Sequence, residues 1–304
     1  MTTTSGLRRD VTFRSAGTTC AAWHYPATTG ALTTDAGRPC VVMAHGFGGT
    51  RDSGLEGFAE AFASAGADAL LFDYRGFGAS DGAPRQVVDV HGQVADYAAA
   101  LHLARSLDGV DRDRLVAWGV SLSGGHVLRV AAADGRLAAA ISLTPATDVR
   151  AASKAGSTKG APKPAGALKG VLGAIRDKEP VYLPLVDTSG GVAAVTAPGA
   201  FEAYTGIAGP TWVNRFGVTP RTLAASLRYR PGSVARDVPC PVLVQIGDLD
   251  RSAPPLAASD TAKRLRAAEV RHYPCDHFDV YPGGEWHEQV LRHQIDFLTR
   301  RLAA

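Results

Sequence analysis

Apolar residues along this chain fall into short, almost unbroken runs separated by longer stretches of helical period. Residues 40–44, 67–72, 115–120, 138–143 and 242–246 are such runs, with the length and pattern of strands covered on both faces. Between them, residues 55–65, 88–107 and 126–133 carry apolar positions three and four apart, as do 255–268 and 286–302, with a short strand-like run at 270–273. Two alternating runs, 10–15 and 19–25, flank Gly17 and predict an N-terminal hairpin. Strand and helix alternating this regularly predict an α/β protein whose mostly parallel sheet is flanked by helices on both faces.

The alternation fails from about residue 144 to residue 237. Lys154, Lys159, Lys163 and Lys169 lie there among Gly, Ala and Pro, followed by Trp212, Phe216 and Tyr229 among further prolines. Helical period is weak, near 168–175 and 219–227. The stretch is too long for a loop and has the wrong period for more sheet. It is expected to be a mostly helical insertion after the sixth strand, a cap over the strand ends. The expected division is a core of 1–147 and 237–304 with a cap of 148–236.

Composition changes this picture little. Of 304 residues, 45% are apolar and 20% charged, and 32 basic against 29 acidic side chains leave a net charge of +3, ordinary for a soluble protein. Lys and Arg are nowhere dense enough to track a phosphate backbone, so no nucleic-acid partner is expected. The first ten residues lack the apolar core of a secretory signal and no run is long enough to span a membrane, so the expected location is cytoplasmic. Cys20, Cys40, Cys240 and Cys275 are far apart and read as free thiols. Homo-oligomerisation is left open.

The chemistry concentrates at the ends of the predicted strands, where open parallel sheets bind ligands. Gly119-Val120-Ser121-Leu122-Ser123-Gly124-Gly125 joins the strand at 115–120 directly to a helix. A turn that sharp needs small neighbours and puts Ser121 in strained torsions, its hydroxyl raised above the strand ends. A lone serine at a helix start is usually only a cap. Here later strand ends supply partners. His277, after the last strand, is the candidate base, and Gly247-Asp248-Leu249-Asp250 offers two carboxylates to orient it. Asp250 is the expected acid, and Asp248, nearer the strand end, is expected to tie down the loop; Asp148 is a distant third. Ser123, the rival serine, is expected to be a small packing residue that hydrogen-bonds the loop.

A tetrahedral intermediate needs two N–H donors. The backbone of Leu122 is one, and that of Phe47, in His45-Gly46-Phe47-Gly48-Gly49, the other. This glycine-rich loop has neither nucleotide-loop nor dinucleotide spacing. His45 is expected to bond its own loop and His126 to pack behind the hinge. The remaining histidines show no ligand spacing, so no metal and no cofactor are expected. Trp212 and Phe216 are expected to contact substrate from the cap.

Together, the His45 loop, Asp73-Tyr74-Arg75-Gly76-Phe77-Gly78-Ala79-Ser80, the Ser121 hinge, Gly247-Asp248-Leu249-Asp250 and Cys275-Asp276-His277-Phe278 resemble the α/β-hydrolase superfamily in order and spacing over nearly the whole chain. Within it, the hinge looks most like dienelactone-hydrolase-like, acetylxylan-esterase-like and serine-peptidase-like bacterial esterases. Ser123 departs from that pattern, standing where a glycine is usual. The resemblance implies eight strands and metal-free hydrolysis through an acyl-enzyme, and serine at position 121 argues against the dehalogenases and epoxide hydrolases of this fold. The expected activity is cleavage of a carboxylic ester of a small or medium apolar acyl substrate. The alternatives are a thioesterase, a C–C bond hydrolase, a peptidase using Glu179, Asp187 or Glu202 to anchor an amine, and, in another class, a non-catalytic ligand-binding protein.

Overall fold

The computed structural model describes residues 8–151, 179–188, 191 and 193–303. The hairpin forms as β1 (Arg9–Ser15) and β2 (Thr18–Tyr25), paired antiparallel. The apolar runs become β3 (Arg38–Ala44), β4 (Asp68–Phe72), β5 (Val110–Val120), β6 (Ala139–Leu143), β9 (Val242–Gly247) and β10 (Ala268–Tyr273). They form one eight-stranded sheet in the order β1-β2-β4-β3-β5-β6-β9-β10. From β4 to β10 every pairing is parallel, and only β1 and β2 run against their neighbours.

Because successive side chains of a strand point to opposite faces, the apolar runs feed two cores. Cys40, Val42 and Ala44 of β3, with Leu115 and Ala117 of β5, face helices α2 (Val90–Ala104) and α3 (Leu122–Asp134). Val41 and Met43, with Val116, Trp118 and Val120, face α1 (Glu56–Ser64) and the final helix, His287–Leu302. Burial on both sides is why these runs are continuous rather than alternating.

Two boundaries depart from the pattern. Strand β5 starts five residues earlier than the apolar run because Arg38 pairs with Val110 before an irregularity in register brings Cys40 opposite Leu115. The helix expected over 255–268 ends at Ala262, and the chain turns so that Ala268 can pair with Val242.

Between β6 and β9 the described residues contain β7 (Val181–Leu183), α4 (Ala200–Ile207), β8 (Phe216–Val218), α5 (Pro220–Arg228) and a 3-10 segment, Pro231–Asp237. The helix expected at 219–227 is α5, begun by the reciprocal hydrogen bonds of Thr219 and Thr222. The two-stranded ribbon β7–β8 is strand that the mostly helical expectation did not foresee. Its strands are three residues each, too short for a period to show, and they are anchored to the core where Gly217 N–H donates to Gln86 O at 2.6 Å. The helical period at 168–175 and the four lysines lie outside the described residues. The two later helices are α6 (Pro255–Ala262) and α7 (His287–Leu302).

The N-terminal end of the parallel strands is held by a buried carboxylate. Asp68 accepts from His24 Nε2 at 2.8 Å, Ala27 N–H at 2.9 Å and Arg38 Nε at 2.7 Å, joining β2, β3 and β4. Burial alone would raise its pKa, but the His24 and Arg38 bonds outweigh that and hold it at about 2, against 3.8 ordinarily. The unfolded chain therefore binds the proton more tightly, so the stabilisation is complete above about pH 4 and fades as pH falls towards 2. Asp68→Asn is expected to cost about 2–4 kcal/mol in urea unfolding at pH 7. Near pH 2.5 the difference from the parent should shrink markedly; an equal loss at both pH values would contradict this account.

Candidate active site

The strand order brings the chemistry-bearing residues to one rim. Strand β5 lies between β3 and β6, and β9 and β10 follow in turn, so the loops after β3, β5, β9 and β10 all leave the same edge of a parallel sheet. Ser121 sits on the hinge between β5 and α3 with φ 58° and ψ −119°, a region costly for any residue with a side chain. Main-chain bonds enforce it. Ser121 N–H donates to Leu143 O at 2.9 Å, and its carbonyl accepts from Gly125 N–H at 3.2 Å and Ala146 N–H at 2.9 Å.

Small residues are required where the hinge doubles back. A Cβ on Gly119 would stand 2.3 Å from Ser123 O, and one on Gly46 would stand 3.0 Å from Ser121 Cβ. The Ser121 hydroxyl makes no hydrogen bond within the described residues. Ser123 is fully buried, donates through its hydroxyl to His45 O and is bonded to Tyr74 Oη at 2.7 Å. It therefore fastens the loop after β3 to the start of α3, as expected.

His277 and Asp250 meet. His277 Nδ1 is 2.7 Å from Asp250 Oδ2, both residues being buried, while Asp250 Oδ1 accepts from Ser252 N–H at 2.8 Å and Ala253 N–H at 2.6 Å. Burial would lower the pKa of His277, but the charge of Asp250 and its hydrogen bond outweigh it and the net shift is upward. The expectation for Asp248 needs correction. It is exposed and bonds His272 Nδ1 at 2.6 Å, and the carboxylate that ties down the loop is Asp250 itself. Asp148 is engaged elsewhere, by Arg230 at 2.9 Å.

Ser121 and His277 line one cavity of about 310 Å³. Its walls are largely apolar, with Phe47, Val88 and Leu122 from the core and Phe216, Leu223 and Leu227 from the insertion. Arg251 stands at its rim, bonded through Nε to Asp276 Oδ2 at 2.7 Å. Phe216 packs edge-on to Phe47 at 5.2 Å. Trp212 does not line the cavity; it stacks on Tyr204 at 5.4 Å. Tyr204, which does line it, donates to Phe47 O at 2.7 Å, and nothing in its local sequence pattern sets it apart.

Phe47 N–H donates to no acceptor within the described residues, and Leu122, the first residue of α3, has no acceptor inside its own helix. His45 donates from Nδ1 to Gly46 O at 2.9 Å, and burial lowers its pKa to about 4. His126 bridges Gln93 and Tyr229 within the core, with its pKa pushed down to about 3 by burial. Neither lines the cavity that holds Ser121 and His277. Among the described residues, no cluster of three or more His, Cys, Asp or Glu could hold a metal ion, and no helix is long and apolar enough to cross a membrane. The four cysteines are free and buried.

Comparison with known proteins agrees with this fold. A family model described as alpha/beta hydrolase fold matches residues 39–174. The quorum-quenching protein AidA of Acinetobacter baumannii is 42% identical over 294 residues, covering 96% of this chain and 94% of that protein. The chain belongs to the α/β-hydrolase family. Among other relatives of this α/β-hydrolase, the polyketide transferase grgF of Penicillium is 30% identical over 318 residues, covering 100% of both chains. Its crystal structure superposes with a TM-score of 0.77 at 27% identity, over 97% of this chain and 99% of that one. The thiohydrolase aneE of Aspergillus aculeatus is 40% identical over 111 residues, covering 36% of this chain and 35% of that protein.

The tightness of the hinge is testable through stability alone. Gly119→Ala must displace main chain at Ser123 to make room, and thermal or urea unfolding is expected to show a loss of about 1–3 kcal/mol. A neutral substitution would mean that the hinge is looser than its geometry indicates.

Proposed function

We propose that this α/β-hydrolase is a serine hydrolase that cleaves a carboxylic ester of a small or medium apolar acyl group through an acyl-enzyme. The proposed division is a core of 1–147 and 237–304 with a cap of 148–236. One observation carries the reading: a serine in enforced torsions, its hydroxyl without a hydrogen bond among the described residues, shares a cavity with an imidazole whose Nδ1 is locked by a buried carboxylate.

In this reading His277 Nε2 takes the proton of Ser121 as Oγ bonds the acyl carbon. The carbonyl electron pair moves onto oxygen, where Phe47 N–H and Leu122 N–H receive it. Collapse expels the alkoxide, which leaves as an alcohol with the proton from His277. A water then gives a proton to His277 and attacks the acyl carbon. The second collapse releases the acid, and Ser121 Oγ recovers its proton. Asp250 keeps His277 in the tautomer that presents Nε2 and stabilises the imidazolium formed in each half.

The lining of the cavity supports an apolar acyl group, since among the described residues it is mainly Val, Leu, Ala and Phe, includes no acidic side chain and has Arg251 at its rim. For the same reason the peptidase alternative loses its support: Glu179, Asp187 and Glu202 do not line the cavity. A relative named for quorum quenching fits a small-molecule substrate. Relatives named thiohydrolase and polyketide transferase favour a second reading, in which the same acyl-enzyme is loaded from a thioester or discharged to an acceptor other than water. Nothing in the cavity bars either.

The protein is expected to hydrolyse p-nitrophenyl butyrate and to be labelled by a fluorophosphonate at Ser121, and Ser121→Ala should abolish both. Labelling that survives the substitution, or is absent from the parent, would refute the assignment. Thiol or alcohol acceptors that divert the butyryl group from water would favour the transfer reading.

The pH profile tests the acid. His277 must be neutral to accept a proton, so kcat/KM should fall as pH drops through its pKa, which Asp250 raises from the ordinary histidine value. Asp250→Asn removes the negative charge that raises it. That variant should lower kcat by about 10³–10⁴-fold and move the acid limb to lower pH, whereas Asp248→Asn should do neither.

A further inference from the structure

Three consecutive carbonyls of the loop after β3 are each held by a side chain. His45 O accepts from Ser123 Oγ, Gly46 O from the His45 ring at 2.9 Å, and Phe47 O from Tyr204 Oη at 2.7 Å. These contacts determine where one N–H points. A trans peptide is planar, with its C=O and N–H directed oppositely, so a donor on Gly46 O orients Phe47 N–H, which shares that plane. The peptides before and after it are fixed in turn by Ser123 and Tyr204. Phe47 thus lies in a segment clamped at three successive points, one from α3, one from the loop itself and one from the insertion helix α4.

The donor directions are unambiguous. A carbonyl only accepts, so the single proton of Ser123 is committed to His45 O and Tyr74 must donate to Ser123 Oγ. Tyr74 is fully buried and remains a phenol, its pKa pushed well above the ordinary value by burial. His45, kept neutral by burial at about 4, carries its proton on Nδ1. The relay Tyr74 to Ser123 to His45 O requires a hydroxyl at position 123, which a glycine there would lack.

We propose that Ser123 and Tyr204 are positioning residues for the oxyanion, holding the main chain on either side of Phe47 so that its N–H meets the charge that develops beside Ser121. The proposal rests on the acyl-enzyme reading above. It also makes the insertion a direct participant, because Tyr204 lines the substrate cavity and fixes the donor loop with one hydroxyl.

The test compares Ser123→Ala, Tyr204→Phe and the Ser123→Ala/Tyr74→Phe double variant with the parent, using p-nitrophenyl butyrate and an alkyl trifluoromethyl ketone whose adduct places an oxyanion in the same position. Each single variant should lower kcat, per site titrated by fluorophosphonate, about 10- to 100-fold, since a donor is misaligned rather than removed. KM should move less than about threefold, and Ki for the ketone should rise by the factor by which kcat/KM falls. Tyr74→Phe removes the phenol stranded by Ser123→Ala, so the double variant should regain melting temperature without regaining kcat. The proposal is overturned by kcat within about twofold of the parent, by a change confined to KM, by a ketone Ki that does not follow kcat/KM, or by a kcat that returns with stability. A parent that fluorophosphonate does not label at Ser121 would remove the underlying reading as well; a parent and variants labelled equally fast would remove this inference alone.

Discussion

The molecule is organised around a residue that its own torsional preferences would move. Ser121 at φ 58° and ψ −119° stays there because Leu143 O, Gly125 N–H and Ala146 N–H hold both sides of its peptide unit. Those partners come from β6, α3 and the turn after β6, so the hinge exists only when the centre of the sheet and the first turn of α3 are already packed. Strain at the site is thus borne by the most thoroughly buried part of the protein. The same constraint explains the small residues: a Cβ on Gly119 would strike the main chain of Ser123, and one on Gly46 would crowd the Cβ of Ser121 itself.

The two ends of the parallel strands divide the work between buried carboxylates. At the N-terminal end, Asp68 gathers His24, Ala27 and Arg38 and holds three strands together. At the C-terminal end, Asp250 uses one oxygen to secure its own loop and the other to orient His277. Both are hydrogen-bonded on each oxygen, the condition under which a buried carboxylate remains tolerable. Their settings differ: Asp68 joins strands at the N-terminal end of the sheet, whereas Asp250 holds through Nδ1 a histidine that lines the cavity.

Most of the sheet was legible from the chain because burial on both faces writes itself as unbroken apolar runs, and the positions of Ser121, Asp250 and His277 follow from their places just after strands. Three features were not legible, for physical reasons. The irregular start of β5 depends on Arg38 pairing with Val110, a register set by the neighbouring strand. Asp248 and Asp250 are two residues apart in a loop, and which one faces inward depends on the turn geometry after β9. Trp212 and Tyr204 are both aromatic residues between β6 and β9, and it is their tertiary packing, invisible in the local pattern, that puts the tyrosine in the cavity wall and the tryptophan stacked on it.

The insertion is more than a cover laid on a finished site. Phe216 packs on Phe47, Gly217 bonds Gln86 in the core, and Tyr204 bonds the carbonyl of Phe47, so its ribbon and its helix α4 both terminate on segments that bound the cavity. An apolar ligand entering between Phe216, Leu223 and Phe47 would press on the Phe47–Phe216 pair, whose Phe47 belongs to the same loop that Tyr204 and Ser123 hold by its carbonyls. In the proposed reading, binding and alignment of the Phe47 N–H then draw on neighbouring contacts of one loop. A poorly fitting acyl group would forfeit rate as well as affinity, because a small displacement of Phe47 weakens a hydrogen bond whose value lies in its direction. In the proposed acyl-enzyme reading, specificity is written in the packing between this segment and the loop after β3, while Ser121, His277 and Asp250 would supply a chemistry indifferent to the acyl group they receive.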